Sequence, residues 1–373
     1  MKVLTIGGAT QDIYLRCGDG ADILRLTKKF CEDSYMIFEA GEKIEVDEIV
    51  YHSGGGSTNS AVSFKKLGFE TSCFCKIGNN EAAEKIKVRL KEEKINISAI
   101  VQKESEDTGK SIIINSIRGE RTIFAYRGIN GKIKKEEIPF EQIEKSKLIY
   151  ITSLSHDSSK LLPQIAQHAK KHNVLVATNP GISQLAKGAL NLRNSLKNID
   201  ILILNSSEAQ TLMISLMKTD EHYKQAIENE LQETSEEKVY EKEAYLLHTH
   251  IEHEDLYFNL KLFFKETLSL GPSIVVVTDG KRGIYVANKK EILFHPGIKT
   301  QVVDTLGAGD AFGSCFVGIY RKTKDIARSL RCGLINSASV IKYIGAKPGL
   351  LTLEKIEEKL KDLDPKLLKK YPI

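Results

Sequence analysis

Four short apolar runs punctuate the second half of the chain: "KLIYITS" (147–153), "NVLVATNPG" (173–181), "DILILNSSE" (200–208) and "SIVVVTDG" (273–280). Stretches of helical periodicity separate them. The apolar residues in each run are consecutive, so both faces of each strand are covered. Strands buried on both faces and joined by helices give an α/β fold: a central, mostly parallel sheet with helices on both faces. At 373 residues the chain is long enough for one large domain of this kind, and we read 1–373 as one.

The first half departs from that pattern. "KVLTIGG" (2–8) reads as a buried strand, but "SYMIFEAGEKIEVDEIVYHSGGG" (34–56) alternates apolar with polar residues. "GKSIIINSIRGERTIFAYRG" (109–128) reads as a hairpin around Arg118-Gly119. Strands with one covered and one wet face do not fit a doubly covered sheet. They predict a small β-sheet lid, with strands within about 12–53 and 108–130. The exposed edges of such a lid could pair with a second copy, giving a homodimer. "STNSAVSFKKLG" (57–68) predicts a helix opened by Ser, Thr and Asn and closed by Gly68. Between two core strands, residues from about 214 to 262 are highly charged and predict a helical surface insertion. It carries His248, His250 and His253, which read as polar residues of a surface helix or loop before they read as metal ligands.

Charge and cysteines exclude several function classes. The net charge is +5, and the lysines mostly alternate with glutamates, as on solvated helix faces. That is no footprint for nucleic acid. No apolar run reaches the roughly 20 residues that span a bilayer. The N-terminus lacks a signal-peptide pattern. Cys17, Cys31, Cys73, Cys75, Cys315 and Cys332 include no CxxC pair. A cytoplasmic protein with reduced thiols is expected.

The chemistry concentrates in "VVDTLGAGDAFGSCFVGIY" (302–320). β-rich sequence precedes Gly307-Ala308-Gly309 and helical periodicity follows it, so these residues sit at a helix N-terminus. Free N–H groups and the positive end of the macrodipole make that an anion site. A dinucleotide fingerprint needs a third glycine where Phe312 stands. A P-loop at Gly109-Lys110-Ser111 needs its first glycine where Glu104 stands. Asp310 follows the cradle directly. It serves either as a helix cap or as a base beside a phosphoryl group in flight.

"DTLGAGDAF" resembles the C-terminal signature of the ribokinase-like (PfkB) family of carbohydrate and nucleoside kinases, with Leu306 where that family has Thr or another small residue. "GGGSTNSAVSFKKLG" (54–68) is similar to its N-terminal signature, a Gly-Gly pair with Asn four residues on and a closing Leu-Gly. "GGATQDIYL", "TGKSIIINSIRGERTIFAYRGIN", "NSSE", "VVTDGKRGIYV" and "INSASVIKYIGA" resemble further family stretches, so most of 1–350 is covered. The resemblance implies transfer of the γ-phosphoryl of ATP to a sugar or nucleoside hydroxyl. Asp310 would be the general base, ionised near the ordinary carboxylate pKa of about 4. The Gly307, Ala308 and Gly309 amides would form the anion hole.

The same resemblance assigns Asp12, Gly54, Gly55 and Asn59 to the sugar, and Arg127 to an anionic group on the sugar or to an acid on the lid. It assigns Glu208, with Asn205, to Mg²⁺ through water. Asn-x-x-Glu is also a capping box. Thr278, Gly280 and Gly283 would border the ribose and phosphates of ATP, and Asn336 its base. Asp304 resembles a position linked to a monovalent cation such as K⁺. Ser153 stands where ribokinases place an acid, which leaves ribose-like sugars, nucleosides and acidic or phosphorylated sugars open. A catalytically silent sensor of sugar or nucleotide is the alternative.

Overall fold

The apolar runs become neighbouring strands because each can bury both faces. The computed structural model describes residues 1–17, 22–28, 31–41, 43–104, 106–115, 121–187, 189–218, 222–223, 244–248, 251–253 and 256–373. Two sheets organise it. In chain order their strands are β1 (Lys2–Ile6), β2 (Thr10–Cys17), β3 (Val46–Gly54), β4 (Glu70–Phe74), β5 (Gly109–Asn115), β6 (Arg121–Tyr126) and β7 (Leu148–Ile151). There follow β8 (Leu175–Thr178), β9 (Ile201–Asn205), β10 (Ile274–Thr278), β11 (Ile284–Ala287), β12 (Glu291–His295) and β13 (Lys369–Pro372).

The large sheet has nine strands in the order β13-β12-β11-β10-β9-β8-β7-β1-β4. Pairing is parallel from β4 through β10 and antiparallel from β10 to β13. Alternate side chains of one strand enter opposite cores. Leu202, Leu204, Val275 and Val277 pack with α4 (Leu162–Lys171) and α5 (Ser206–Met217). Ile201, Ile203, Ile274 and Val276 pack with α6 (Ala308–Thr323) and α7 (Ile326–Val340). Helices thus cover both faces.

The lid is a separate four-stranded sheet, β6-β5-β2-β3. Its inner residues Asp12, Tyr14 and Ile113 are buried. Its outer row, Phe124, Ile112, Ile13 and Tyr51, crosses all four strands in register. Phe124 and Tyr51 in that row are 55% and 54% exposed, which marks this face as uncovered. The expected turn at Arg118-Gly119 lies outside the described residues.

Two local expectations change. Helix α1 (Gly56–Lys66) is capped by Gly55, not by Ser, Thr or Asn. Ser57, Thr58 and Asn59 lie inside its first turn with buried side chains, and Thr58 Oγ1 donates to Gly54 O at 2.7 Å. The insertion expected over about 214–262 lies largely outside the described residues. Its described part includes a hairpin, Ile251–His253 with Leu256–Phe258, where helix was expected. His250 lies outside the described residues. Among the described residues, no helix is long and apolar enough to cross a membrane.

Candidate active site

Charged side chains gather where the parallel strands end, the place at which sheets of this type bind ligands. Helix α6 begins there. Its cap, Gly307, has φ +77°, and a Cβ would come within 2.3 Å of the Ala346 Cβ. The turn therefore requires glycine. Ala308 N–H points to Thr305 O at 3.3 Å, a long bond that holds the turn closed. The N–H groups of this first turn have no intrahelical carbonyl. Asp310 stands in the same turn, partly exposed.

Asn59 of α1 donates through Nδ2 to Asp310 Oδ2 at 2.8 Å. The Asn59 carbonyl oxygen accepts from Lys347 Nζ at 2.8 Å. Lys347 is buried and also donates to Thr58 Oγ1 at 3.0 Å and to Ser53 O. An amide thus bridges a buried ammonium to the candidate base. Burial raises the Asp310 pKa, the Asn59 hydrogen bond and the Lys347 charge oppose that rise, and Asp12 adds to it. The pKa near 4 expected from sequence is thereby corrected upward, because the carboxyl is desolvated. Burial lowers Lys347 to about 8, opposed by the charges of Asp12 and Asp310.

Asp12 projects from the inner face of the lid and accepts from Thr10 Oγ1 at 2.8 Å. Burial raises its pKa. Its carboxylate lies over Gly54, where a Cβ would stand 1.8 Å from Asp12 Oδ2. That close approach explains the glycine at 54. Asn59 was expected to hold sugar hydroxyls. Its carbonyl and one amide proton instead serve Lys347 and Asp310.

Asn205 and Thr278 are register neighbours at the ends of β9 and β10. Asn205 and Glu208 form a reciprocal capping box at the start of α5, both bonds 2.8 Å. The residues expected to hold Mg²⁺ are thus also the cap. Burial raises the Glu208 pKa, and the Asp310 charge adds to it. Two carboxylates therefore sense each other at this end of the sheet. Gly280 and Gly283 flank a 3₁₀ turn after β10, which Arg282 closes with two 2.7 Å bonds to Asp279.

Three assignments meet obstacles. Asn336 is buried, its amide donates to Ala311 O at 3.0 Å and its carbonyl accepts from Leu351 N at 3.0 Å. It ties α7 to α6 and to Leu351, so its carbonyl and one amide proton are already used. Arg127 is exposed at the foot of the lid, away from the cluster's hydrogen bonds. The buried Asp304 carboxylate accepts from Leu306 N at 2.9 Å and Gly345 N at 3.0 Å. Arg121 of the lid lies 3.7 Å from it, so the carboxylate anchors a turn and the lid. A cation at this position would fall to backbone carbonyls.

Sequence reading missed Lys347, which looks like a surface turn lysine in "GAKPG". Lys347 lines a cavity of about 570 Å³ with His52 and Arg89 among others, but Asp12, Glu208 and Asp310 do not.

The chain matches the model described as "pfkB family carbohydrate kinase" over residues 25–242 and 259–353. It is 24% identical over 322 residues to a ribokinase of Staphylococcus aureus (strain COL), covering 86% of this chain and 92% of that protein. Its fold is similar to that of Arabidopsis thaliana ribokinase complexed with ribose and ATP, at TM-score 0.71 and 20% identity, over 96% of this chain and 98% of the other. It is likewise similar to Methanocaldococcus jannaschii nucleoside kinase, at TM-score 0.69 and 19% identity, over 97% and 98% of the two chains.

Proposed function

The chain belongs to the pfkB family of carbohydrate kinases, and from that premise we propose that it moves the γ-phosphoryl of ATP to a hydroxyl of a sugar or nucleoside. The observation that carries this reading is the Asn59-held carboxylate of Asp310 in the first turn of α6. A base and an anion cradle then share one turn. As the acceptor oxygen bonds to phosphorus, its proton passes to Asp310, and the bond to ADP breaks. The Gly307 and Gly309 amides, with Ala308 N–H once it leaves its 3.3 Å bond to Thr305 O, face the negative charge of the phosphoryl group in transit. Asp12, beside Gly54 and Gly55, holds acceptor hydroxyls. A raised pKa makes Asp310 a stronger base once it is ionised.

Thr278, Gly280 and Gly283 border the nucleotide. The donor set at Glu208 is a carboxylate half committed to a cap, with a second carboxylate near enough to raise its pKa. That suits a hydrated Mg²⁺ held through water. When bound, Mg²⁺ would neutralise phosphate charge. Backbone carbonyls near Asp304 are the place for K⁺. The relatives named as ribokinase and nucleoside kinase support either acceptor class.

The test is ADP release across pentoses, hexoses, sugar phosphates, sugar acids and nucleosides, with Mg²⁺ and with or without K⁺. Asp310→Asn should lower kcat by about 10²–10⁴-fold. Full turnover in that variant removes the base assignment. If a sugar binds but no acceptor is phosphorylated, the chain is a silent sensor.

A further inference from the structure

A second group of metal-capable side chains stands on α3 (Phe140–Lys145) and α4. Glu144 lies on α3, His168 in the last turn of α4, and His172 caps that helix. Four residues apart, the two histidines share one helix face. Their ring centroids are 4.5 Å apart. Glu144 Oε1 accepts from His168 Nε2 at 2.9 Å, a proton that a bound ion would displace, and lies 3.8 Å from His172 Nε2. One ligand atom from each residue lies within 4.8 Å of the others.

Two details go beyond proximity. His172 Nδ1 is 2.9 Å from the His168 carbonyl oxygen. A carbonyl only accepts, so Nδ1 carries a proton. In the neutral ring Nε2 then keeps its lone pair, 3.8 Å from Glu144 Oε1. Histidines that ligate metals are oriented in this way, their other nitrogen donating to a carbonyl. The Phe140 ring, 4.5 Å from the His168 ring, holds that imidazole from another side. The ligands are therefore ordered before any ion arrives.

We propose that Glu144, His168 and His172 form a surface site for a divalent transition-metal ion of the zinc type. Two imidazole nitrogens and one carboxylate oxygen suit Zn²⁺ with one open position. The side chains are 42%, 26% and 34% exposed in that order, so water can take the open position. Mg²⁺ prefers oxygen ligands, so the site discriminates against the ion expected at Glu208. A bound ion ties α3, which leads into β7, to α4, which follows it.

The test uses the full chain, untagged and stripped with EDTA, without ATP. Co²⁺ is titrated by visible absorption and Zn²⁺ by calorimetry. We expect one Co²⁺ per chain with d–d bands, displaced by Zn²⁺, and a Zn²⁺-dependent rise in unfolding temperature. His172→Gln and Glu144→Gln should each weaken Zn²⁺ binding by at least about tenfold and remove the thermal effect, with unchanged circular dichroism. Absence of a Co²⁺ spectrum, or Zn²⁺ uptake equal in both variants and the wild type, overturns the proposal.

Discussion

Replacing Lys347 with methionine separates what a buried ammonium does for the fold from what it does for Asp310. Nζ makes three hydrogen bonds, to Ser53 O, Thr58 Oγ1 and Asn59 Oδ1, which uses every proton it has. Burial lowers its pKa from 10.5 to about 8. Holding the charge inside therefore costs about 3 kcal/mol. Below about pH 8 folded and unfolded chains both hold the proton, and the fold bears the full cost. Between about 8 and 10.5 the unfolded chain keeps a proton the folded one has released, so stability rises with pH across that window. The methionine variant lacks this rise. It also leaves buried acceptors without a donor, at about 1–3 kcal/mol for such a group. Three acceptors lose their donor while about 3 kcal/mol of desolvation is regained, so unfolding in urea at pH 7 should show a net loss of up to about 6 kcal/mol. Activity should change as well. Lys347 opposes the raised pKa of Asp310, so its loss moves the acid limb of the kcat profile to higher pH. Above about pH 8, where Lys347 gives up its charge, the wild type should fall toward the level of the variant, which lacks that charge at every pH and shows no such fall. Lys347→Arg should keep the acid limb and push the alkaline fall out of range. A Lys347→Met profile that superimposes on the wild type, alkaline fall included, refutes the reasoning.

Asp304→Ala frees two amides, Leu306 N and Gly345 N, and should cost about 2–4 kcal/mol in denaturant unfolding. Arg121→Ala removes only the part-exposed partner at 3.7 Å and should cost under about 1 kcal/mol; equal losses contradict the anchoring role of Asp304. Asn336→Ala leaves Leu351 N unpaired and takes one of two donors from Ala311 O, and should cost about 1–3 kcal/mol without changing KM for ATP. A KM effect with unchanged stability restores the nucleotide contact. The uncovered lid row of Phe124, Ile112, Ile13 and Tyr51 should pair two copies in solution. Light scattering should then show a dimer that Phe124→Asp converts to a monomer, and a monomeric wild type rules this out.

What could be read from sequence was what local pattern controls. Strands β7 to β10 were legible because a doubly covered strand leaves an unbroken apolar run. The lid was legible because one wet face leaves alternation. The start of α6 was legible because Gly307 must take a positive φ against Ala346, and a helix must follow it. Reading failed where distant parts of the chain decide. At α1 the polar residues Ser57, Thr58 and Asn59 suggested a cap, but long-range partners draw them inward. Asn59 meets residues 251 and 288 positions away. Asn336 looked like a contact for a base because its sequence neighbours resemble one, yet its amide is used between two helices. Lys347 had no local signal at all. Lysine is normally solvated, and only the closing of α1 against the 346–348 turn puts its ammonium inside. Hydrogen bonds of 2.8 Å on either side of one amide then make the basicity of Asp310 depend on a residue 37 positions later. The carboxylate proposed as base could be read from nine residues. Its strength follows from the tertiary fold, and the pH profile of Lys347→Met measures that dependence directly.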